Sequence, residues 1–208
     1  MKIGVPVLGF VALGVSAWPV EPAHAQAGSQ DFQVYAGYIL GDRLTESGLS
    51  GQLPRLNDDG AFGARYTYHL TDQWGVQLSA AYSPNRAAHV AGGDTSLGLT
   101  TADVDLERDI PLDLELFGHG FVTYGVIGAG YAWANLDHAL SGVVSGAPVS
   151  ISDSSGVTGN AGLGAKYYLP GNLFIDVDAR YRYLSKLVSN YGQGLNTVET
   201  SLGVGYRF

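Results

Sequence analysis

The chain has 208 residues, 46% of them hydrophobic and only 14% charged, with a net charge of −8 and no cysteine. The absence of cysteine excludes a disulfide framework, a thiolate metal site and a cysteine nucleophile. The acidic balance argues against a nucleic-acid partner. The charged fraction lies well below the roughly 25% of an ordinary soluble domain. Thirty glycines and thirteen tyrosines favour strands over helices.

The chain opens on Lys2, an apolar run from Ile3 to Val15 and then Ala23-His24-Ala25. A positive start, an apolar core and a small-residue cleavage site are the marks of an export leader. Residues 1–25 are therefore expected to be a signal peptide and residues 26–208 a single β-domain. Beyond the leader no apolar run is long enough for a membrane-spanning helix. Eight segments instead alternate with a period of two, the signature of strands. They are 31–41, 61–70, 74–83, 97–107, 120–134, 157–169, 172–185 and 196–208. The connections alternate as well. Thr71-Asp72-Gln73 and Pro170-Gly171 are tight and 108–119 is intermediate, whereas 42–60, 84–96, 135–156 and 186–195 are long. Short turns at one end and long loops at the other are expected of a barrel that crosses a membrane.

The stretch from Phe174 to Tyr183 poses the question of which face lies inside. Ile175, Val177, Ala179, Tyr181 and Tyr183 share one face, and Asp176, Asp178, Arg180 and Arg182 the other. Two features place the apolar faces outward, against lipid. The segments run well beyond the 5–6 residues common in soluble sheets. Aromatic residues also gather near the segment ends: Tyr66, Tyr68, Tyr82, Tyr131, Trp133, Tyr181, Tyr183, Tyr206 and Phe208. Membrane interfaces carry such girdles. The fold class is accordingly all-β, an eight-stranded antiparallel up-and-down transmembrane β-barrel.

The inward faces then carry Arg65, Lys166, Arg180, Arg182 and Arg207 against Asp103, Asp105, Glu107, Asp176, Asp178 and Glu199. An eight-stranded barrel is just wide enough for side chains to fill its interior, and charges held there need partners. A salt-bridged plug is the reading this favours; an ion path is the alternative.

The glycine strand Tyr124-Gly-Val-Ile-Gly-Ala-Gly-Tyr131 and the terminal Ser201-Leu-Gly-Val-Gly-Tyr-Arg-Phe208 resemble the small eight-stranded bacterial outer-membrane barrels. That group includes the OmpA transmembrane domain, the opacity-type proteins and OmpW. The resemblance implies residence in the bacterial outer membrane among lipid and lipopolysaccharide. It also implies recognition by the outer-membrane assembly machinery through a closing strand whose Val204, Tyr206 and Phe208 form the signal.

Some small barrels modify lipids, so a nucleophile kit is relevant. None of His69, His89, His119 and His138 has a serine two residues away on its own strand face, and the Asp153-Ser154 pair sits in a polar loop composition. No metal-ligand spacing of the HxxH or HExxH kind occurs, and no cofactor is expected. The carboxylate pairs Asp103/Asp105 and Asp176/Asp178 each share a face, but arginines accompany them. Three functions stay open in this order: a structural or surface-interaction barrel working through its loops, with an extracellular ligand possible; a narrow pore; and a lipid A-modifying enzyme. Loop acids Asp42, Glu46, Asp58, Asp59, Asp94, Asp137 and Asp153, offset in part by Arg43, Arg55, Arg86 and Lys186, would give the outer rim a surface for divalent cations and lipopolysaccharide phosphates.

Overall fold

A computed structural model describes residues 26–41, 55–90, 93–111, 120–136, 140–144, 147–151, 154–185 and 194–208. The expected leader lies outside them. Eight long strands build the wall: β1 (Gln30–Leu40), β3 (Asp59–His69), β4 (Trp74–Val90), β5 (Gly93–Pro111), β6 (Phe121–Leu136), β9 (Ser154–Tyr168), β10 (Leu173–Leu184) and β11 (Leu195–Arg207). Each pairs antiparallel with its neighbour along the chain, and β1 pairs with β11, from Asp31 opposite Arg207 to Leu40 opposite Val198. The sheet therefore closes into a barrel with no free edge, which hydrocarbon requires of a spanning sheet. A short β2 (Arg55–Leu56) adds to β4, and β7 (Leu140–Val144) pairs with β8 (Ala147–Ile151) as a separate hairpin.

Each of the eight alternating segments is a wall strand, but three of the connections read as long loops carry strand, 42–60 among them through β2 and the start of β3. In 84–96, β4 runs on to Val90 and β5 starts at Gly93, paired through Arg86 opposite Ser96 and Ala87 opposite Thr95. The backbone keeps pairing through Pro84 opposite Gly98 and Asn85 opposite Leu97. In 135–156, the β7–β8 hairpin occupies much of the connection.

At the opposite end the turns are tight. Leu169 N–H donates to Leu173 O at 2.7 Å across Pro170-Gly171-Asn172. Gly171 and Asn172 both have positive φ, 82° and 69°, a conformation that glycine and asparagine tolerate best. In the other turn Thr71 Oγ1 accepts from the backbone N–H groups of Gln73 and Trp74.

The alternation is complete in β10, where exposed and buried residues follow one another without a break. Val34, Leu78, Val104, Ile127, Leu163, Val177 and Leu202 are exposed on the outer wall. Aromatics flank them in two belts. Phe32, Tyr68, Trp74, Tyr206 and Phe208 stand toward the turn end; Tyr38, Phe62, Tyr82, Tyr131, Trp133, Tyr181 and Tyr183 stand toward the loop end. The buried set is largely polar. This inverts a soluble domain, and an apolar outer band between aromatic girdles is the pattern a bilayer selects.

Candidate functional site

The lumen is the site to be understood, because it holds the buried chemistry. Period-two alternation brings inward residues of all eight wall strands together. All eleven charged residues assigned to the lumen from sequence lie on the inner wall, in one connected network.

Arg180 of β10 sits at its centre. Its Nε donates to Asp178 Oδ2 at 2.6 Å on the same strand, Nη1 to Asp105 Oδ2 at 2.8 Å across the barrel, and Nη2 to Gln77 Oε1 at 2.6 Å. Arg65 donates to Asp178 Oδ1 at 2.9 Å and to Asp176 Oδ2 at 3.4 Å, and stacks over the Tyr35 ring at 3.9 Å. Toward the loops, Arg182 holds Asp103 Oδ2 at 2.8 Å and Glu199 Oε2 at 3.3 Å. Toward the turns, Lys166 Nζ donates to Glu107 Oε1 at 2.5 Å and to Asp31 Oδ2 at 3.3 Å. Arg207 grips Asp31 with Nε at 2.7 Å and Nη2 at 2.9 Å, and Nη2 also donates to the Tyr168 hydroxyl. Gln77 joins the upper and lower parts, since its Nε2 donates to Glu107 Oε2 at 2.7 Å. Multiple charge-assisted hydrogen bonds of this kind are what make buried charges tolerable.

From the sequence alone Asp31, Asp109, Tyr124 and Tyr168 are not assigned to the lumen, and His69 falls on the polar face of its segment with Arg65 and Thr67 but outside the charge network. All five are buried. Strand parity could have found them. Asp109 continues the series Asp103, Asp105 and Glu107, while Asp31 shares the face of Gln33. With them, eight buried carboxylates (Asp31, Asp103, Asp105, Glu107, Asp109, Asp176, Asp178 and Glu199) face four buried cations and the half-buried Arg207. Apolar residues bound the network at one end. Ile39, Leu97, Leu99, Leu184 and Leu195 are buried on the inward face toward the loops, whereas toward the turns Val122, Tyr168 and Phe174 cluster beside Lys166 and Arg207, within the network itself.

Glycine makes room for these groups. Gly128 and Gly130 of β6 lie opposite Asp105 and Asp103 of β5. A Cβ on Gly128 would fall 2.0 Å from Asp105 Oδ1, and one on Gly130 2.4 Å from Asp103 Oδ1. The Gly-x-Gly spacing of this strand is thus a packing requirement of the charged interior.

The ring of His69 faces Asp31 Oδ2 at 3.1 Å, Asp109 Oδ2 at 4.0 Å and Arg207 Nη2 at 3.5 Å. The side chains of His89, His119, His138 and Asp153 lie outside the described residues, and Ser155 Oγ shares a 3.0 Å hydrogen bond with Tyr131 OH on the outer wall. On the closing strand, Val204, Tyr206 and Phe208 point outward and are exposed; Phe208 N–H donates to Gln30 O at 2.8 Å.

Several solved barrels share this architecture. OprG of Pseudomonas aeruginosa aligns at 18% identity over 90% of this chain and 99% of its own, with a TM-score of 0.57. Neisserial surface protein A aligns at 16% identity over 87% and 99%, with a TM-score of 0.56. Ail, the attachment invasion locus protein of Yersinia pestis, aligns at 22% identity over 88% and 100%, with a TM-score of 0.51. At these identities the likeness is one of fold. No curated protein matches the chain. Residues 9–208 match the family described as the outer membrane protein beta-barrel domain, and the chain belongs to that family.

Proposed function

We propose that this protein is a non-catalytic outer-membrane barrel whose lumen is sealed and whose work is done at the surface, by the loops that emerge opposite the tight turns. The observation that carries this reading is the continuity of the buried network from Arg207 to Arg182, bounded by apolar side chains toward the loops. An ion crossing such a lumen would have to break several charge-assisted hydrogen bonds in succession, each stronger than a neutral one. The apolar residues at the loop end oppose entry further by dewetting. The names of two structural neighbours, a surface protein and an attachment protein, agree with a role at the cell surface. Lipopolysaccharide is the partner in immediate reach of the loop end, and acids such as Asp58 and Asp59 stand on that side.

Single-channel recording on the refolded protein in a planar bilayer tests the sealed lumen. Silence over a wide voltage range is the expected result. A steady, reproducible conductance would replace this reading by that of a narrow pore.

A further inference from the structure

One buried acid in the lumen has no strong cationic partner. Among the described residues, seven of the eight buried carboxylates form an ion pair with Arg or Lys, whereas Asp109 meets only His69, at 4.0 Å. That contact is too long for a hydrogen bond. Asp109 Oδ1 and His69 Nδ1 are both fully shielded yet have no hydrogen-bond partner. Buried polar atoms are rarely left so, and an unseen ion is one of the few explanations.

The surroundings are those of a ligand set. His69 ends β3, and Glu107 and Asp109 share the inward face of β5. Between them in the same row lies Gly75 of β4, opposite both His69 and Glu107. A Cβ at Gly75 would lie 2.9 Å from Thr67 Cγ2 and 3.4 Å from His69 Nδ1, so the close approach of β4 to the imidazole needs glycine there. One ligand atom each from His69, Glu107 and Asp109 falls within a mutual 4.8 Å. Ligands about 2 Å from one ion stand roughly 3.3 Å apart in a tetrahedral shell, so the three groups would draw in from up to 4.8 Å, with Glu107 sharing an oxygen it now offers to Lys166 or Gln77. The far nitrogen of His69 faces Asp31 Oδ2 at 3.1 Å. A carboxylate behind a ligating imidazole fixes its tautomer and raises its basicity.

We propose that His69, Glu107 and Asp109 form a binding site for a divalent transition-metal ion of the zinc class at the turn end of the lumen. One imidazole and two carboxylates suit zinc or manganese, whereas an all-oxygen shell would suit magnesium or calcium. Two further positive charges also offset part of the carboxylate excess in the barrel. The site is independent of whether the lumen conducts.

The test is calorimetric titration of zinc chloride into untagged protein refolded in detergent micelles. Micromolar or tighter uptake of one equivalent is expected, with X-ray absorption showing one imidazole nitrogen and otherwise oxygen around the metal. Asp109→Asn should weaken binding roughly tenfold or more, at least 1.4 kcal/mol, while the triple change His89→Gln, His119→Gln, His138→Gln leaves it intact. No uptake by the unmodified protein overturns the site, as does a shell of several imidazoles or binding that only the triple variant abolishes. The two measurements on unmodified protein decide the matter even if Asp109→Asn fails to fold.

Discussion

At the scale of single residues, the deciding fact is that Arg180 serves two acids at once. Its Nε lies on Asp178 and its Nη1 on Asp105, both buried. Removing one member of a buried pair is worse than removing both, because a charge is left in a low-dielectric interior without compensation. Arg180→Met should therefore destabilise the barrel by about 3–5 kcal/mol. Combining it with Asp105→Asn should restore part of that loss, giving a coupling of about 0.5–3 kcal/mol. Urea unfolding in phospholipid vesicles measures each corner of the cycle; additive losses would mean the two side chains do not interact. The identity of these partners was only half legible in the sequence. Parity placed both residues in the lumen, but which acid an arginine reaches across a barrel depends on strand stagger, and stagger leaves no mark on a single strand's pattern. Asp109 lies two residues past the end of its alternating segment at 107, while Asp31 opens the first segment on the face opposite Phe32, where a single acid carries no sign of the lumen.

At the scale of elements, alternation made the eight wall strands visible, because each has one face in lipid and one in a polar interior. Their lengths were less visible. The hairpin of β4 and β5 continues past Pro84 and Asn85 to Val90 and Gly93, where residues no longer need an apolar face and the periodic signal fades. The closing strand is the element on which barrel formation turns. Strand β11 seals against β1, and the backbone of Phe208 completes that seam through Gln30. We propose that outward-facing Val204, Tyr206 and Phe208 are also the stretch read by the assembly machinery, as in the barrels this strand resembles. Deleting Phe208 removes both its exposed ring and its hydrogen bond. The expected outcome is a marked fall in the outer-membrane level with accumulation of unfolded chain, read by heat-dependent mobility on gels. Phe208→Tyr should be close to normal, since it keeps the backbone bond and an aromatic ring. An undiminished level after the deletion would remove the role assigned to it.

At the scale of the whole molecule, the deciding property is which solvent meets the outer wall. Composition pointed to this early, since a chain with few charges must either bury its apolar residues or meet a solvent other than water. The structure exposes them, with polar residues making up most of the buried set. Leu163 states the difference at one position. It is 68% exposed, on β9 between the aromatic belts, opposite Gly125 and Ala179. In a water-soluble sheet, replacing so exposed a leucine by arginine would change stability by less than about 0.5 kcal/mol. Within a bilayer the guanidinium would enter hydrocarbon near its midplane, at a loss of about 2–4 kcal/mol. Leu163→Arg is therefore expected to fall in that higher range when unfolding is followed in vesicles, while Arg at the interfacial position Tyr206 should lose about 0–1 kcal/mol from lipid exposure. The depth dependence is the informative part, because a general disturbance of the strand would weaken both positions alike, whereas a membrane-spanning wall separates them.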